Sequence, residues 1–123
     1  MNVIGIGVDT VEIKKVQQIL DSKSGASFLE KHFTVNEQKY FNLYNKPAPH
    51  IATTFAGKEA VFKALNAKTF IARNIEISRD YNGQPKVNLT GSYANMAGNN
   101  ELLLSLSYNN SFSIAFAIMK EKK

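Results

Sequence analysis

The stretch at residues 55–64 (FAGKEAVFKA) constrains the fold most, because we predict it to be the middle of a helix spanning residues 51–67. Successive helical residues advance by about 100°. Two charged residues, Glu59 and Lys63, therefore share one arc with apolar residues, namely Ala52, Phe55, Ala56 and Phe62. We expect both charges to point toward the core, where they would need partners or a ligand. The spacing alone is equally typical of a solvated ion pair worth about 0.2–0.5 kcal/mol.

The second informative stretch lies near the N-terminus, where residues 3–8 (VIGIGV) predict a buried strand. Glycine inside a strand often marks the close approach of a ligand or of another backbone. Asp9 follows this strand, and helical periodicity begins at Val11. Asp9 and Glu12 could cap that helix as a near capping box, which is the simpler interpretation of the spacing. Alternatively, Asp9 could meet Glu59 around a hard cation, which prefers oxygen ligands.

The middle of the chain predicts helices. The first helix should end in the polar stretch at residues 21–26, and residues 28–33 form a short helical or irregular segment. Thr34 and Glu37 form a capping-box pattern that opens the next helix. We expect that helix to bury a stripe of large side chains, namely Tyr40, Phe41, Leu43 and Tyr44. The two prolines at positions 47 and 49 should end it.

The C-terminal half predicts strands at residues 74–79 and 85–89, joined at Asn82-Gly83, which is a strong hairpin signal. A short helix follows at residues 92–97, and then a second hairpin with strands at residues 102–108 and 112–119. We therefore predict an α+β fold for a single domain of residues 1–123. A mostly antiparallel sheet should pack against the long central helix and shorter helices.

Composition narrows the possible functions. The 123 residues are 44% hydrophobic, which suits one modest core. No apolar run is long enough to span a membrane and no signal-peptide pattern is present, so we expect a cytoplasmic protein. Cysteine is absent, and His32 and His50 are isolated, so any metal should be bound by oxygen. The net charge of +5 favours an acidic or phosphorylated partner. Scattered lysines without a recognised motif argue against nucleic acid as that partner.

Residues 5–13 (GIGVDTVEI) and 55–64 together resemble the two signature segments of the bacterial holo-[acyl-carrier-protein] synthases, the small single-domain 4'-phosphopantetheinyl transferases. The order and separation of the segments also match, and weaker similarity covers most of the remaining chain. The resemblance implies the phosphopantetheinyl transferase fold and a homotrimer with active sites between neighbouring subunits. It also implies transfer of 4'-phosphopantetheine from coenzyme A to a serine of apo acyl carrier protein, releasing adenosine 3',5'-bisphosphate, in fatty acid biosynthesis.

The resemblance also implies roles for individual residues. Asp9 and Glu59 would hold a Mg²⁺ on the pyrophosphate of coenzyme A, and Lys63 would lie beside the phosphates; these three form the catalytic set. Either Glu59 or a metal-bound water would accept the serine proton. Coenzyme A would contact Lys46, Phe55, Lys58, Lys63 and Tyr108. The acidic carrier protein would dock on the first helix, where the available cations are Lys14, Lys15 and Lys23.

Three positions depart from the family pattern. Thr54 stands where the family usually has an arginine, residues 65–70 (LNAKTF) replace a glycine-rich stretch, and Tyr108 replaces a histidine. In the family these positions surround the nucleotide end of coenzyme A, so its 3'-phosphate would be held differently here, by Lys46 or Lys68. A non-catalytic module that binds carrier protein or nucleotide and retains the fold is the alternative hypothesis, and a nucleic-acid-binding domain is a weaker one.

Overall fold

A long helix, α4 (Ala48–Ala64), lies between a sheet and a group of shorter helices in the computed structural model, which describes residues 2–122. The other helices are α1 (Ile13–Asp21), α2 (Gly25–His32), α3 (Val35–Phe41) and α5 (Ser92–Ala97), with a single 3₁₀ turn at Ala72–Asn74. The strands are β1 (Val3–Glu12), β2 (Ile75–Arg79), β3 (Pro85–Leu89), β4 (Glu101–Tyr108) and β5 (Phe112–Lys120).

The strands form two antiparallel sheets. The larger sheet has the order β1-β5-β4, and β2 pairs with β3 in a separate hairpin. In the larger sheet Gly7 lies opposite Ala117, which lies opposite Leu104 on the far strand. Because side chains alternate between faces along a strand, Gly5, Gly7 and Asp9 share the face that packs on α4.

Two glycines let α4 approach β1 closely. A Cβ atom added to Gly5 would lie 2.0 Å from the carbonyl oxygen of Ala64, and one added to Gly7 would lie 2.0 Å from that of Ala60. No side chain fits at either distance. Of the two alternatives for glycine in this strand, the structure therefore shows close approach by another backbone.

Helix α4 is shared by two hydrophobic cores. One core joins the inner face of the larger sheet to β2, α5 and the second half of α4, around Ala60, Val61 and Ile75. The other joins α1, α2 and α3 to the first half of α4, around Phe33 and Ile51. Because partners surround the helix on most sides, its buried residues do not follow one narrow stripe.

The prediction that Glu59 and Lys63 both point into the core is wrong for this reason. The Lys63 side chain is 49% exposed and Glu59 is half-buried. The buried cation is Lys58, whose ammonium lies 2.7 Å from Glu37 and donates to the carbonyl oxygens of Ala72 and Ile75. Glu37 also accepts from the backbone N–H groups of Thr34 and Ile77, so this pair links α3, α4 and β2. Breaking one partner of such a pair typically costs about 3–5 kcal/mol.

The capping role considered for Asp9 is wrong. Strand β1 continues to Glu12, which is the N-cap of α1 and makes no side-chain capping hydrogen bond. Asp9 lies inside the strand, opposite Ala115 of β5. Pairing along the whole length of β5 stabilises the extended conformation where local periodicity indicated a helix.

The prediction that β1 is a buried strand is also wrong, because only one of its faces is covered. Ile6 is 62% exposed and Val8 is 50% exposed. Their neighbours on β4 and β5 extend the same exposed apolar face, which includes Leu103, Ile114 and Phe116.

The remaining elements follow the sequence predictions closely. Both hairpins and α5 are present, and Thr34 and Glu37 make both hydrogen bonds of a capping box at the start of α3. Helix α4 begins at Ala48, three residues before its predicted start, because Pro49 fits the first turn of a helix, and it ends at Ala64, three residues before its predicted end. Within residues 2–122, no helix has the length and apolar character needed to cross a membrane.

Candidate active site

The proposed catalytic side chains meet where α4 crosses β1. Asp9 follows Gly5 and Gly7 on the inner face of the strand, so it points toward the helix just beyond the place where the two backbones are closest. Glu59 and Lys63 lie one turn apart on α4. The structure therefore brings together three residues from two segments that are about fifty positions apart in the sequence.

Lys63 reaches across the edge of β1. Its ammonium donates to the carbonyl oxygen of Val8 at 2.9 Å and lies 3.3 Å from Oδ1 of Asp9. The Asp9 side chain is 16% exposed, whereas that of Lys63 is 49% exposed. The ammonium is thus oriented by the strand and stays accessible to an anion from solvent.

Glu59 has a perturbed acidity. Burial raises the pKa of its carboxyl above the ordinary value of 4.5, the neighbouring Asp9 carboxylate raises it further, and Lys63 opposes both. Two carboxylates that repel each other in a partly desolvated corner make a region of negative potential. A cation bound there would relieve the repulsion.

The donor set suits Mg²⁺. This ion usually takes one or two protein carboxylates and completes its shell with water and substrate phosphates. Asp9 and Glu59 would supply the two carboxylates. Across residues 2–122 no three His, Asp or Glu side chains cluster into a site made of protein ligands alone.

Lys58 does not belong to this site. It precedes Glu59 in the sequence, but its side chain is fully buried and paired with Glu37. Burial lowers the pKa of the Lys58 ammonium and the adjacent Glu37 carboxylate opposes that change. A substrate phosphate cannot reach an ammonium enclosed in this way, so the expected contact between Lys58 and coenzyme A is corrected to a structural role.

Tyr108 lies away from the three catalytic residues, in a cluster of rings at the start of α4. His50 stacks on Tyr44 with ring centroids 3.6 Å apart, and Tyr108 approaches His50 edge-on at 5.7 Å. The guanidinium of Arg79 lies 5.0 Å above the ring of Tyr40. A cavity of about 210 Å³ is bordered by Tyr40, His50, Arg79 and Tyr108. It is also lined by Thr53, Gly83, Pro85 and Leu106.

The cavity carries a positive charge without a paired anion. Arg79 makes no ion pair with a carboxylate in the part of the chain that the structure describes. Burial, and then the nearby charge of Arg79, lower the pKa of His50, which favours the neutral imidazole. Aromatic walls and one guanidinium suit a ligand that combines a planar ring with a phosphate.

Sequence reasoning missed Arg79 and His50, and it assigned Tyr40 and Tyr44 to the core. Phe41 is buried as expected, but Leu43 is 77% exposed and Tyr44 is 39% exposed, because α3 ends at Phe41. No spacing in the sequence links Arg79 to Tyr108. The only usable signal was the hairpin turn at Asn82-Gly83, which places Arg79 opposite Pro85.

The other residues predicted to contact a ligand or partner, or to depart from the family pattern, lie outside these two groups. Phe55 is half-buried in an aromatic group with Phe28, His32 and Phe70. Thr54 is buried, and its hydroxyl has no hydrogen-bond partner among residues 2–122. Three groups of exposed lysines were assigned to ligands or partners: Lys46 before α4, Lys14 and Lys15 on α1, and Lys23 after α1.

Sequence comparisons identify a family and known proteins to which this chain is similar. The model of the 4'-phosphopantetheinyl transferase superfamily matches residues 5–117. A holo-[acyl-carrier-protein] synthase from Clostridium perfringens is 41% identical, over 96% of this chain and 94% of that protein. One from Thermodesulfovibrio yellowstonii is 35% identical, over 94% of this chain and 96% of that protein.

Solved structures agree with the sequence comparisons. The holo-[acyl-carrier-protein] synthase of Neisseria meningitidis superposes with a TM-score of 0.86 at 28% identity, covering 98% of this chain and all of that one. The synthase of Helicobacter pylori, solved in complex with coenzyme A, gives 0.81 at 27% identity, covering 94% of this chain and 99% of that one. The α+β architecture predicted from the sequence is therefore confirmed.

The raised pKa of Glu59 predicts a pH-dependent effect of Glu59→Gln on stability. The folded state binds the proton of the Glu59 carboxyl more tightly than the unfolded state does. This carboxyl therefore stabilises the wild-type protein below pH 4.5, and the stabilisation is lost as the pH rises through the pKa of Glu59 in the folded state. Because glutamine does not titrate, the free energy of unfolding of the variant should increase relative to wild type across that interval. Urea denaturation between pH 4 and pH 8 measures the difference, with Glu30→Gln at a 75% exposed carboxylate as the control. A difference that stays constant with pH would contradict the prediction.

Proposed function

The chain belongs to the holo-[acyl-carrier-protein] synthases of the 4'-phosphopantetheinyl transferase superfamily, and from that premise we propose how its own residues perform the transfer. The substrates are coenzyme A and an apo acyl carrier protein, and the group transferred is 4'-phosphopantetheine. The observation that carries the proposal is the convergence of Asp9, Glu59 and Lys63 at the crossing of α4 and β1.

The residues have separate tasks in the proposed reaction. The serine hydroxyl of the carrier protein attacks the phosphorus atom that bears the pantetheine arm. A new bond forms between the serine oxygen and phosphorus, the bond to the leaving adenosine 3',5'-bisphosphate breaks, and the carboxylate of Glu59 accepts the serine proton. Lys63 binds the pyrophosphate and neutralises the charge that develops on the leaving oxygen.

Asp9 and Glu59 would hold Mg²⁺, whose chemistry when bound is to neutralise the pyrophosphate and orient it for in-line attack. The electrostatic repulsion between the neighbouring carboxylates of Asp9 and Glu59, which a bound cation would relieve, supports this assignment. Asp9 also orients the Lys63 ammonium, so its removal should affect both the ion and the lysine. Carrier protein would dock on α1 through Lys14 and Lys15, and through Lys23 just after it, because that helix begins four residues after Asp9.

The first test is the mass of an apo acyl carrier protein after incubation with this chain, coenzyme A and Mg²⁺. We expect a gain of one phosphopantetheine that a chelator abolishes. Asp9→Ala and Glu59→Ala should each reduce the transfer rate by about 10²–10⁴-fold, while Glu30→Ala, at an exposed carboxylate on α2, should not. Circular dichroism checks that the variants are folded.

Full activity in either site variant would contradict the metal assignment. If the wild-type chain binds carrier protein but leaves several carriers unmodified, the alternative hypothesis of a non-catalytic binding module would replace the enzyme.

The cavity beside Tyr108 is the proposed site for the nucleotide end of coenzyme A. Arg79 supplies a cation without a paired anion, and the rings of His50 and Tyr108 supply flat apolar surface. Lys46 is exposed in the segment just before α4 and would add a second charge if it reached the nucleotide. This arrangement would replace the arginine that the family usually has at the position of the buried Thr54.

Arg79→Met should therefore raise the KM for coenzyme A by about tenfold, since a hydrogen bond to a charged group contributes about 1.5–3 kcal/mol. The KM for carrier protein should not change. With dephospho-coenzyme A, which lacks the 3'-phosphate, the variant and the wild type should behave alike. Arg73→Met is the matched control, because Arg73 lies outside the cavity and pairs with Glu30. Equal effects of the two substitutions on the KM for coenzyme A would exclude the proposed role of Arg79.

The outer face of the larger sheet is the proposed subunit interface of a homotrimer. Ile6, Val8, Leu103, Ile114 and Phe116 form one contiguous apolar surface on three paired strands, and each is at least 42% exposed. A patch of this kind marks an interaction site when it is left uncovered. Val8 directly precedes Asp9, and Lys63 donates to the carbonyl oxygen of Val8. Subunits that meet at this face would therefore complete the active site at their boundary.

Phe116→Glu places a charge at the centre of this face and should dissociate the assembly, with loss of activity in parallel. Sedimentation velocity measures the oligomeric state, and we expect a trimer for the wild type and a monomer for the variant. Val35→Glu, which adds the same charge at a 60% exposed position on α3, should remain trimeric and active. A wild-type monomer with full transferase activity would refute the proposed interface.

A further inference from the structure

The segment that leaves α4 is held by a buried tyrosine outside the proposed catalytic set. Helix α4 ends in a Schellman motif: Ala67 donates its N–H to Phe62 at 3.3 Å, and Asn66 donates to Lys63 at 3.0 Å. Asn66 has a left-handed φ of 55°, which asparagine tolerates better than most residues. The chain thus turns sharply after Lys63 and stays beside the end of the helix that carries it.

Tyr93, on α5, fixes the far end of this segment. Its side chain is 2% exposed, and its ring packs near that of Phe62 in the core. The hydroxyl donates to the carbonyl oxygen of Thr69 and accepts from the N–H of Ile71 at 2.8 Å. One hydroxyl therefore binds backbone groups on both sides of Phe70.

Phe70 adds a third point of attachment. Its ring meets that of Phe62 edge-on at 5.2 Å and that of Phe55 at 5.9 Å. Residues 66–68 are consequently a short stretch between two anchors, the helix end and the Tyr93 hydroxyl, with Asn66 and Lys68 exposed and Ala67 packed on the core. Anchoring of this kind lowers the entropy that the stretch would lose when a ligand binds.

This stretch presents one cation. Lys68 lies five residues after Lys63, is exposed, and makes no ion pair with any residue between positions 2 and 122. Two lysines at one helix end, one of them with no anionic partner, suit a ligand with several negative charges. The pyrophosphate assigned to Lys63 is such a ligand.

We propose that Tyr93 is a positioning residue, whose hydroxyl holds residues 66–70 so that Lys68 contacts the pyrophosphate of coenzyme A beside Lys63. This inference rests on the proposed coenzyme A site. It is independent of the cavity around Arg79, which concerns the other end of the same substrate.

The test is a double-mutant cycle of Tyr93→Phe, Lys68→Ala and the combined variant. Isothermal titration calorimetry with coenzyme A and Mg²⁺ gives the Kd of each protein, and carrier-protein assays give kcat and KM. Lys68→Ala should raise the Kd for coenzyme A by about tenfold, as for a charge-assisted hydrogen bond. Tyr93→Phe should raise it by a smaller factor, and the combined variant should bind no more weakly than Lys68→Ala alone.

Three readouts separate positioning from a general loss of stability. The values of kcat and of the KM for carrier protein should stay near wild type in Tyr93→Phe. The Kd effect of Lys68→Ala should persist with dephospho-coenzyme A, which keeps the pyrophosphate. Ile51→Val, which removes one methylene from the other core, should lower the melting temperature without changing the Kd.

An unchanged Kd in Tyr93→Phe or in Lys68→Ala would overturn the inference, as would effects of the two substitutions that simply multiply in the combined variant. A Kd shift in Ile51→Val equal to that in Tyr93→Phe would also overturn it. Failure of the proposed function would give a different result. A wild-type chain that binds coenzyme A without transferring phosphopantetheine would still allow the double-mutant cycle of Kd values to be measured.

Discussion

Every feature of the active site depends on how closely α4 packs on β1. Alternate residues of a strand are about 6.6 Å apart, and residues four apart on a helix are separated by about 6 Å. The spacing of Gly5 and Gly7 therefore matches that of Ala64 and Ala60, and both contacts are backbone to backbone. Asp9 is the next residue on the same strand face, beyond the contact of Gly7 with Ala60, and the long side chain of Lys63 reaches back along the helix to it. A larger residue at either glycine would force the helix away and separate the carboxylates.

The central position of α4 explains how its charged residues divide their roles. Lys58 lies where the helix meets β2 and α3, so its charge is buried and neutralised by Glu37. Glu59 and Lys63 lie where the helix meets the open edge of the sheet, so they remain accessible to a ligand. Neighbouring charged residues on one helix thus serve stability and chemistry separately, and the difference comes from what surrounds each of them.

The proposed site for coenzyme A is extended, and the residues that would bind it are spread along α4. The catalytic residues occupy one end of α4, while the ring cluster with Arg79 occupies the other. Lys68 and its anchor Tyr93 lie beside the first of these ends. The exposed sheet face ends next to Asp9, so an assembly through that face would bring a second subunit to the pyrophosphate. These proposals describe successive parts of one long ligand and can be tested independently.

The sequence by itself determined the α+β class, both hairpins, the capped start of α3 and the pairing of Asp9 with Glu59 and Lys63. These features depend on local turn and cap chemistry or on two motifs that resemble a known family. Tertiary structure alone decided that β1 continues through Asp9 to Glu12, because pairing with β5 outweighs a local helical pattern. It also decided that Lys58 is the buried charge and that Arg79 joins Tyr108, since burial depends on all the elements that surround a residue. The spacing of apolar residues along one helix or strand indicates its contact with only one neighbouring element.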